Sequence, residues 1–216
     1  MKFFKKKLLE FRSNRLNKGF NNNNPDMVLK SIYQVARKPL ISTSFGKYSE
    51  ALLSLVPESA PDIPVLWVNS GFNTQRTTDF SQEMKKKYKL NLIEINPGIT
   101  LQEFKEKYDT FPEYGTKENT ELCKMIKIEP FRGFLSKFKP DFWFTGIRND
   151  ETNYRSKLGI TSIFATSILR VAPFISYSDL AMRRFMFQND LEIMTDYYDP
   201  CRPENKECGI QIIEKI

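Results

Sequence analysis

The chain has 216 residues, 40% of them apolar and 27% charged, with a formal net charge of +7. That length suits one domain with a sizeable core, and no apolar stretch approaches the roughly 18 residues a membrane span needs. The sequence contains no histidine, which excludes Ser-His-Asp and Cys-His catalysis and every His-ligated metal site.

The chain opens on a basic segment, "MKFFKKKLLEF". Residues 1–20 carry seven Lys/Arg against Glu10 alone, a net of +6, while the rest of the chain nets +1. The charge therefore belongs to an arm and not to the body. "NNNN" and Pro25 set that arm off in the manner of a linker. Residues 1–24 are thus expected to be a basic arm and Asn-rich linker, dispensable for folding. Phe3, Phe4, Leu8, Leu9 and Phe11 would make it an amphipathic helix. Such a helix either docks on its own domain or holds an anionic partner, nucleic acid among them. No long apolar segment or small-residue cleavage site follows, so the segment does not read as a secretory signal, and the cytoplasm is the expected location.

Residues 27–37 then place Val28, Ile32 and Val35 on one helical face. "PLISTSF" reads as a buried strand with a helix over 47–56. "IPVLWVNSG" (63–71) reads as a strand entering a Gly turn. A helix over 77–89, a strand over 90–97 and a helix over 100–111 follow. The helix over 125–138 must take Pro130 early or kink at it. Strands over 141–147 and 167–175 precede a helix over 178–190 that Ser178 can cap. Strands separated by helices argue for an α/β fold, a mostly parallel sheet with helices on both faces. Ligands on such sheets lie beyond the carboxyl ends of the strands, here "STSFG", "NSG" and "TGIR".

Small hydroxyl residues where the first strand hands over to a helix leave backbone N–H groups open, and such groups attract anions. A plain helix cap is the alternative for "STSFG", and a surface charge the alternative for Arg148. Near the end of the chain, "KECGIQ" sets Cys208 beside a glycine in polar surroundings. A buried cysteine normally sits in an apolar run. An accessible thiol in a basic environment reacts as the thiolate.

These blocks, in this order, resemble the phosphoadenosine phosphosulfate (PAPS) reductase family of the adenine nucleotide alpha hydrolase-like (PP-loop) superfamily. "STSFGKYSEALL" is similar to the family's phosphate-cradling loop. "IPVLWVNSGFNTQRTTDF" is similar to its second strand, which usually ends Asp-Thr-Gly. "IKIEPF" resembles its Arg-Lys-x-x-Pro segment through Lys127, and "TGIRNDETNYR" its Gly-x-Arg-(x)6-Arg segment through Arg148 and Arg155. "SYSD" resembles Asp-Trp-Thr-Asp, and "KECGIQ" resembles Glu-Cys-Gly-Leu-His. Four positions depart from the pattern: Asn69 and Ser70 stand for Asp and Thr, Ile126 for Arg, and Gln211 for His. The loop also lacks the Ser-Gly-Gly-x-Asp-Ser pattern of the ATP pyrophosphatase branch.

The resemblance implies an oxidoreductase of sulfate assimilation, with residues 25–200 as the nucleotide-binding domain and 201–216 as a mobile C-terminal tail. Ser42, Thr43, Ser44, Phe45 and Gly46 would form the anion cradle, and Asn69, Ser70 and Gly71 would lie along the nucleoside. Lys127, Arg148 and Arg155 would pair with the charges of an adenylated sulfate, and Cys208 would be the nucleophile. The reductant would be an external thioredoxin or glutaredoxin. No bound cofactor or metal is implied, and no iron–sulfur cluster, because Cys123, Cys201 and Cys208 cannot complete a four-cysteine set. Cys201 is either a resolving thiol for Cys208 or merely a nearby one, and Cys123 is expected to be structural. A homodimer is compatible with the family. Two other readings stand beside this one. The basic arm would suit a nucleic-acid sulfur-transfer enzyme of the same superfamily, and the four departures would suit a non-catalytic binding or assembly module.

Overall fold

A computed structural model describes residues 2–20, 24–96, 99–108, 110–165, 167–202, 207 and 209–212. In chain order it contains α1 (Lys2–Gly19), α2 (Pro25–Tyr33), β1 (Pro39–Thr43), α3 (Ser49–Leu53), α4 (Val56–Ser59), β2 (Pro64–Val68), α5 (Gln75–Lys87) and β3 (Asn91–Ile95). There follow α6 (Leu101–Lys107), α7 (Lys117–Cys123), a π-turn (Lys124–Ile128), α8 (Glu129–Phe138), β4 (Phe142–Phe144) and a 3₁₀ turn (Arg155–Lys157). The last elements are β5 (Thr161–Phe164), β6 (Ile168–Val171), α9 (Asp179–Gln188) and a second 3₁₀ turn (Gly209–Ile212).

The six strands form one sheet in the order β3-β2-β1-β4-β6-β5. All neighbours are parallel except β5 and β6. This is the expected α/β fold with β1 at its centre. The strands read as continuous apolar runs because both faces are covered. Ile41, Val65, Trp67, Phe142 and Phe144 enter one core with Val28 and Ile32 of α2, Phe80 of α5 and Met182 of α9. The alternating residues Leu40, Leu66 and Trp143 enter a second core with Phe131 and Leu135 of α8. Ser178 caps α9 as expected, accepting from the Ala181 N–H at 3.2 Å. Pro130 falls just after the π-turn. A residue without an N–H cannot continue an α-helical ladder, and the wider turn carries the chain past it.

Neither α7, which falls between the expected helices over 100–111 and 125–138, nor β5, a four-residue antiparallel edge strand, was foreseen. The arm takes the docked one of its two readings. The α1 helix lies on β5, with Leu9, Leu16 and Phe20 packed on the main core and the Arg12 guanidinium 4.6 Å from the centre of the Phe142 ring. The Asn17 amide acts as a neighbouring strand would. Its Nδ2 donates to the Thr161 carbonyl at 2.9 Å, and its Oδ1 accepts from the Thr161 N–H at 2.7 Å. Ser13 adds a bond from its hydroxyl to the same carbonyl at 3.1 Å. An open strand edge is thereby closed. Gly159 makes the approach possible, since a Cβ there would come within 2.8 Å of the Asn17 amide. The expectation that residues 1–24 are dispensable thus meets a helix that seals the sheet. Asn17→Ala is expected to destabilise the fold by about 1–3 kcal/mol, because it removes the acceptor of the buried Thr161 N–H. Urea unfolding measures this, and an unchanged midpoint would show that α1 adds nothing to the edge.

Candidate active site

The carboxyl ends of β1, β2 and β4 open into a cleft of about 290 Å³. Ser42, Thr43, Ser44 and Gly46 line it from the end of β1 and the loop beyond, and Ser70 from the turn after β2. Lys127 lines it from the π-turn, Arg148 and Arg155 from the segment after β4, and Ile210 and Gln211 from the last 3₁₀ turn. The structure therefore brings together most of the residues that the sequence singled out. Ser42 Oγ accepts from Trp143 Nε1 at 2.8 Å, which leaves the serine proton to donate elsewhere.

Three of the residues singled out for substrate binding do not line the cleft. Phe45 adopts φ 51° and turns its ring into the core, edge-on to Trp67 at 5.2 Å and to Phe80 at 6.3 Å. Burying such a ring is worth about 1.5–3 kcal/mol, enough to hold a left-handed residue that costs roughly 1–2 kcal/mol. Phe45 anchors the loop from beneath, and its neighbours Ser44 and Gly46 face the cleft. Asn69 builds the turn after β2, accepting from the Gly71 N–H at 3.0 Å and from Asn73 Nδ2 at 2.7 Å. Asn69 and Gly71 remain outside the walls. Cys208 falls outside the described residues, although Glu207 and Gly209 on either side of it are described.

The cations of the cleft are paired with carboxylates and not bare. Lys127 Nζ meets the Asp199 carboxylate. Arg148 Nε donates to Asp150 at 3.0 Å, and its guanidinium stands 5.2 Å from the Tyr48 ring centre. Arg155, almost fully buried, pairs with Glu151 and also holds Glu207, donating from Nη2 at 2.6 Å. Burial opposes ionisation of Glu151, but Arg155, the Arg148 N–H and Arg202 outweigh it and hold the carboxyl below its ordinary value. Asp179 receives Lys47 Nζ at 2.9 Å, the Tyr48 hydroxyl at 2.7 Å and Arg183 Nε at 2.7 Å. Those bonds push its carboxyl far below the usual range.

Sequence reasoning gave none of these acidic partners a role, although Asp150 and Glu151 fall in "TGIRNDETNYR", Asp179 in "SYSD" and Glu207 in "KECGIQ". Glu151 and Arg155 are four apart, but the chain between them is a turn leading into the 3₁₀ turn, so no helical spacing announces their pair. Nothing in "YYDPC" pointed Asp199 at Lys127, because the two are 72 residues apart. The irregular segment after α9 carries Asp199 back over the strand ends. The Glu192 N–H donates to Glu50 at 2.6 Å, the Met194 N–H to the Lys47 carbonyl at 3.1 Å, and Thr74 Oγ1 to the Asp196 carbonyl at 3.0 Å.

Cys201 is bonded to Cys123. Of the two readings left open for Cys201, that of a resolving thiol for Cys208 thus meets a sulfur already engaged with Cys123. Both sulfurs are buried against Leu122, Ile126 and Phe104. The bridge fastens the base of the tail to the wall that carries Lys127, alongside the Lys127–Asp199 pair. Further on, Gly209 lies against Ile128, where a Cβ would come within 2.4 Å of the isoleucine. The described part of the tail is thus docked at the cleft. Among the described residues, no group of three or more Cys, Asp or Glu is placed to hold a metal ion, and no helix is long and apolar enough to cross a membrane.

Comparison with known proteins bears on this arrangement. The chain is 28% identical over 151 residues to the phosphoadenosine 5′-phosphosulfate reductase of Vibrio parahaemolyticus, covering 70% of this chain and 58% of that protein. It is 28% identical over 153 residues to the reductase of Xylella fastidiosa, covering 71% of this chain and 64% of that one. The chain therefore spans about three-fifths of the length of these curated relatives. In fold it is similar to the crystal structure of PAPS reductase from Candida auris in a phosphate complex. The TM-score is 0.72 at 17% identity, covering 83% of this chain and 86% of that one. The family model of the phosphoadenosine phosphosulfate reductase domain matches residues 38–201, three-quarters of the sequence, and the chain belongs to that family.

Proposed function

We propose that the chain reduces 3′-phosphoadenylyl sulfate to sulfite and adenosine 3′,5′-bisphosphate through Cys208. One observation carries the reading. A single cleft holds the loop after β1, the three cations Lys127, Arg148 and Arg155, and the turn that follows Cys208. The Cys208 thiolate attacks the sulfonyl sulfur, and an S–S bond forms as the S–O bond to phosphate breaks. The electron pair leaves on the phosphate oxygen of the bisphosphate, and Cys208 keeps the sulfonate. A thioredoxin- or glutaredoxin-type dithiol then attacks the Cys208 sulfur and expels sulfite with the electron pair of that bond. Its second thiol resolves the mixed disulfide and restores Cys208.

The ion pairs of the cleft bear on binding. Each cation already holds a carboxylate, so the phosphates of the nucleotide take the place of these internal anions and do not fill bare charges. Arg148 and Arg155 suit this exchange because a guanidinium meets phosphate and carboxylate with the same two-pronged geometry.

The test is to incubate the full chain with 3′-phosphoadenylyl sulfate without a dithiol, then map the peptides by mass. An adduct of about 80 Da on the Cys208 peptide, as SO₃ addition to a thiolate gives, and its loss as sulfite on adding a dithiol are expected. Nucleotide binding with no adduct would overturn the reaction and leave a binding module.

A further inference from the structure

Arg170 sits in β6 with 1% of its surface exposed. A guanidinium stays charged at any ordinary pH, so its burial must be offset by acceptors. Among the described residues no carboxylate reaches it, and every acceptor is neutral. Nε donates to Ser162 Oγ at 3.0 Å. Nη1 donates to the Gln211 carbonyl at 3.0 Å and to Gln211 Oε1 at 3.2 Å. Nη2 donates to the Tyr154 hydroxyl at 3.4 Å, and that hydroxyl donates in turn to the same Gln211 carbonyl at 3.2 Å. The guanidinium also lies 5.7 Å from the centre of the Tyr154 ring.

Two side chains from separate elements thus converge on one main-chain oxygen, three residues beyond Cys208. On the other flank of Cys208, Arg155 and Thr152 hold the Glu207 carboxylate, Thr152 at 2.7 Å. We propose that Arg170 and Tyr154 form a positioning pair, which fastens the Gly209–Ile212 turn at the cleft and thereby presents the cysteine segment to the bound substrate. A charged donor makes the stronger hydrogen bond. Undocking the turn would leave that buried charge short of acceptors, and a buried donor without a partner is costly. The asymmetry favours the docked tail, and an ion pair deeper in the sheet would remove it.

The test compares the full-length wild type with Arg170→Met, Tyr154→Phe and Arg170→Lys. Hydrogen exchange of the 209–212 amides is read against that of β1, and sulfite release is resolved into kcat and KM. In Arg170→Met, exchange at 209–212 is expected to quicken about tenfold or more with β1 unchanged. The kcat should fall while KM for the nucleotide stays as it was. Tyr154→Phe, which keeps the buried charge, should show a smaller loss of the same kind, and Arg170→Lys should recover part of kcat. Unchanged exchange at 209–212 in both Arg170→Met and Tyr154→Phe would overturn the anchor. The kinetic part rests on the reductase reading, whereas the exchange part does not. If the wild type forms no sulfite, the reading falls, and exchange alone decides the anchor.

Discussion

Replacing Cys208 by Ser is expected to reduce sulfite release from 3′-phosphoadenylyl sulfate to background while leaving the affinity for adenosine 3′,5′-bisphosphate unchanged. A serine hydroxyl is not ionised near neutral pH, and it cannot form the S–S bond through which the sulfonate is handed on. No residue lining the described cleft offers a substitute. The cysteines packed beside it, Cys123 and Cys201, are bonded to each other. The holding of the nucleotide belongs instead to the loop after β1 and to the cations. Arg148→Met should therefore show the opposite pattern, a weaker nucleotide affinity by roughly 1.5–3 kcal/mol for a lost charge-assisted contact. Calorimetric titration with the bisphosphate and a sulfite assay, run on both variants, separate the two effects. Sulfite formation that survived in Cys208→Ser would refute the mechanism outright.

The sequence disclosed most of the sheet because a doubly covered parallel strand leaves a plain signature. "PLIST", "PVLWV" and "FWF" are largely apolar runs that end in or run into small and polar residues, and these ends meet at the cleft as expected. β5 escaped notice because "TSIF" opens on two hydroxyl residues and lacks the continuous apolar run of the buried strands. The N–H and C=O of its Thr161 are met by the Asn17 side chain, and no local pattern announces such a partner 144 residues away. For the arm, composition left docking and an anionic partner both open, for a related reason. Its charge set it apart in composition, while its docking rests on Ser13, Asn17 and Leu16, which look unremarkable in a row of lysines. Within the site, residue types that attract anions were legible, and their counterions were not. Asp199 and Glu207 reach Lys127 and Arg155 only through the fold. Phe45 shows the limit from the other side. A motif of small residues suggested that the whole loop faces the ligand, yet an aromatic ring among them has more to gain from the core.

Removing the Cys123–Cys201 bridge, by Cys123→Ala together with Cys201→Ala, is expected to lower stability by about 2–4 kcal/mol. For a chain of this length that corresponds to a fall of roughly 5–15 °C in the melting temperature. The bond closes a loop of 78 residues, so it removes many conformations from the unfolded chain, and the effect grows with the logarithm of loop length. The folded state should change little, because the sulfurs sit in an apolar pocket where alanine is tolerated as a small hydrophobe. The bridge has a second consequence for a protein proposed to consume dithiols. Both its cysteines are only 8% exposed, and thiol exchange requires access to the attacked sulfur. A dithiol added to the native protein should therefore leave the bridge intact, with one alkylatable cysteine per chain, and three should appear only after unfolding in denaturant. Calorimetry of the double variant and counting of alkylated cysteines check the two halves. A double variant that melts with the wild type would show that the bridge is no staple. Three reactive thiols in the native protein would show that the reductant reaches it, and then the segment from Asp199 to the tail would loosen with every exposure to dithiol.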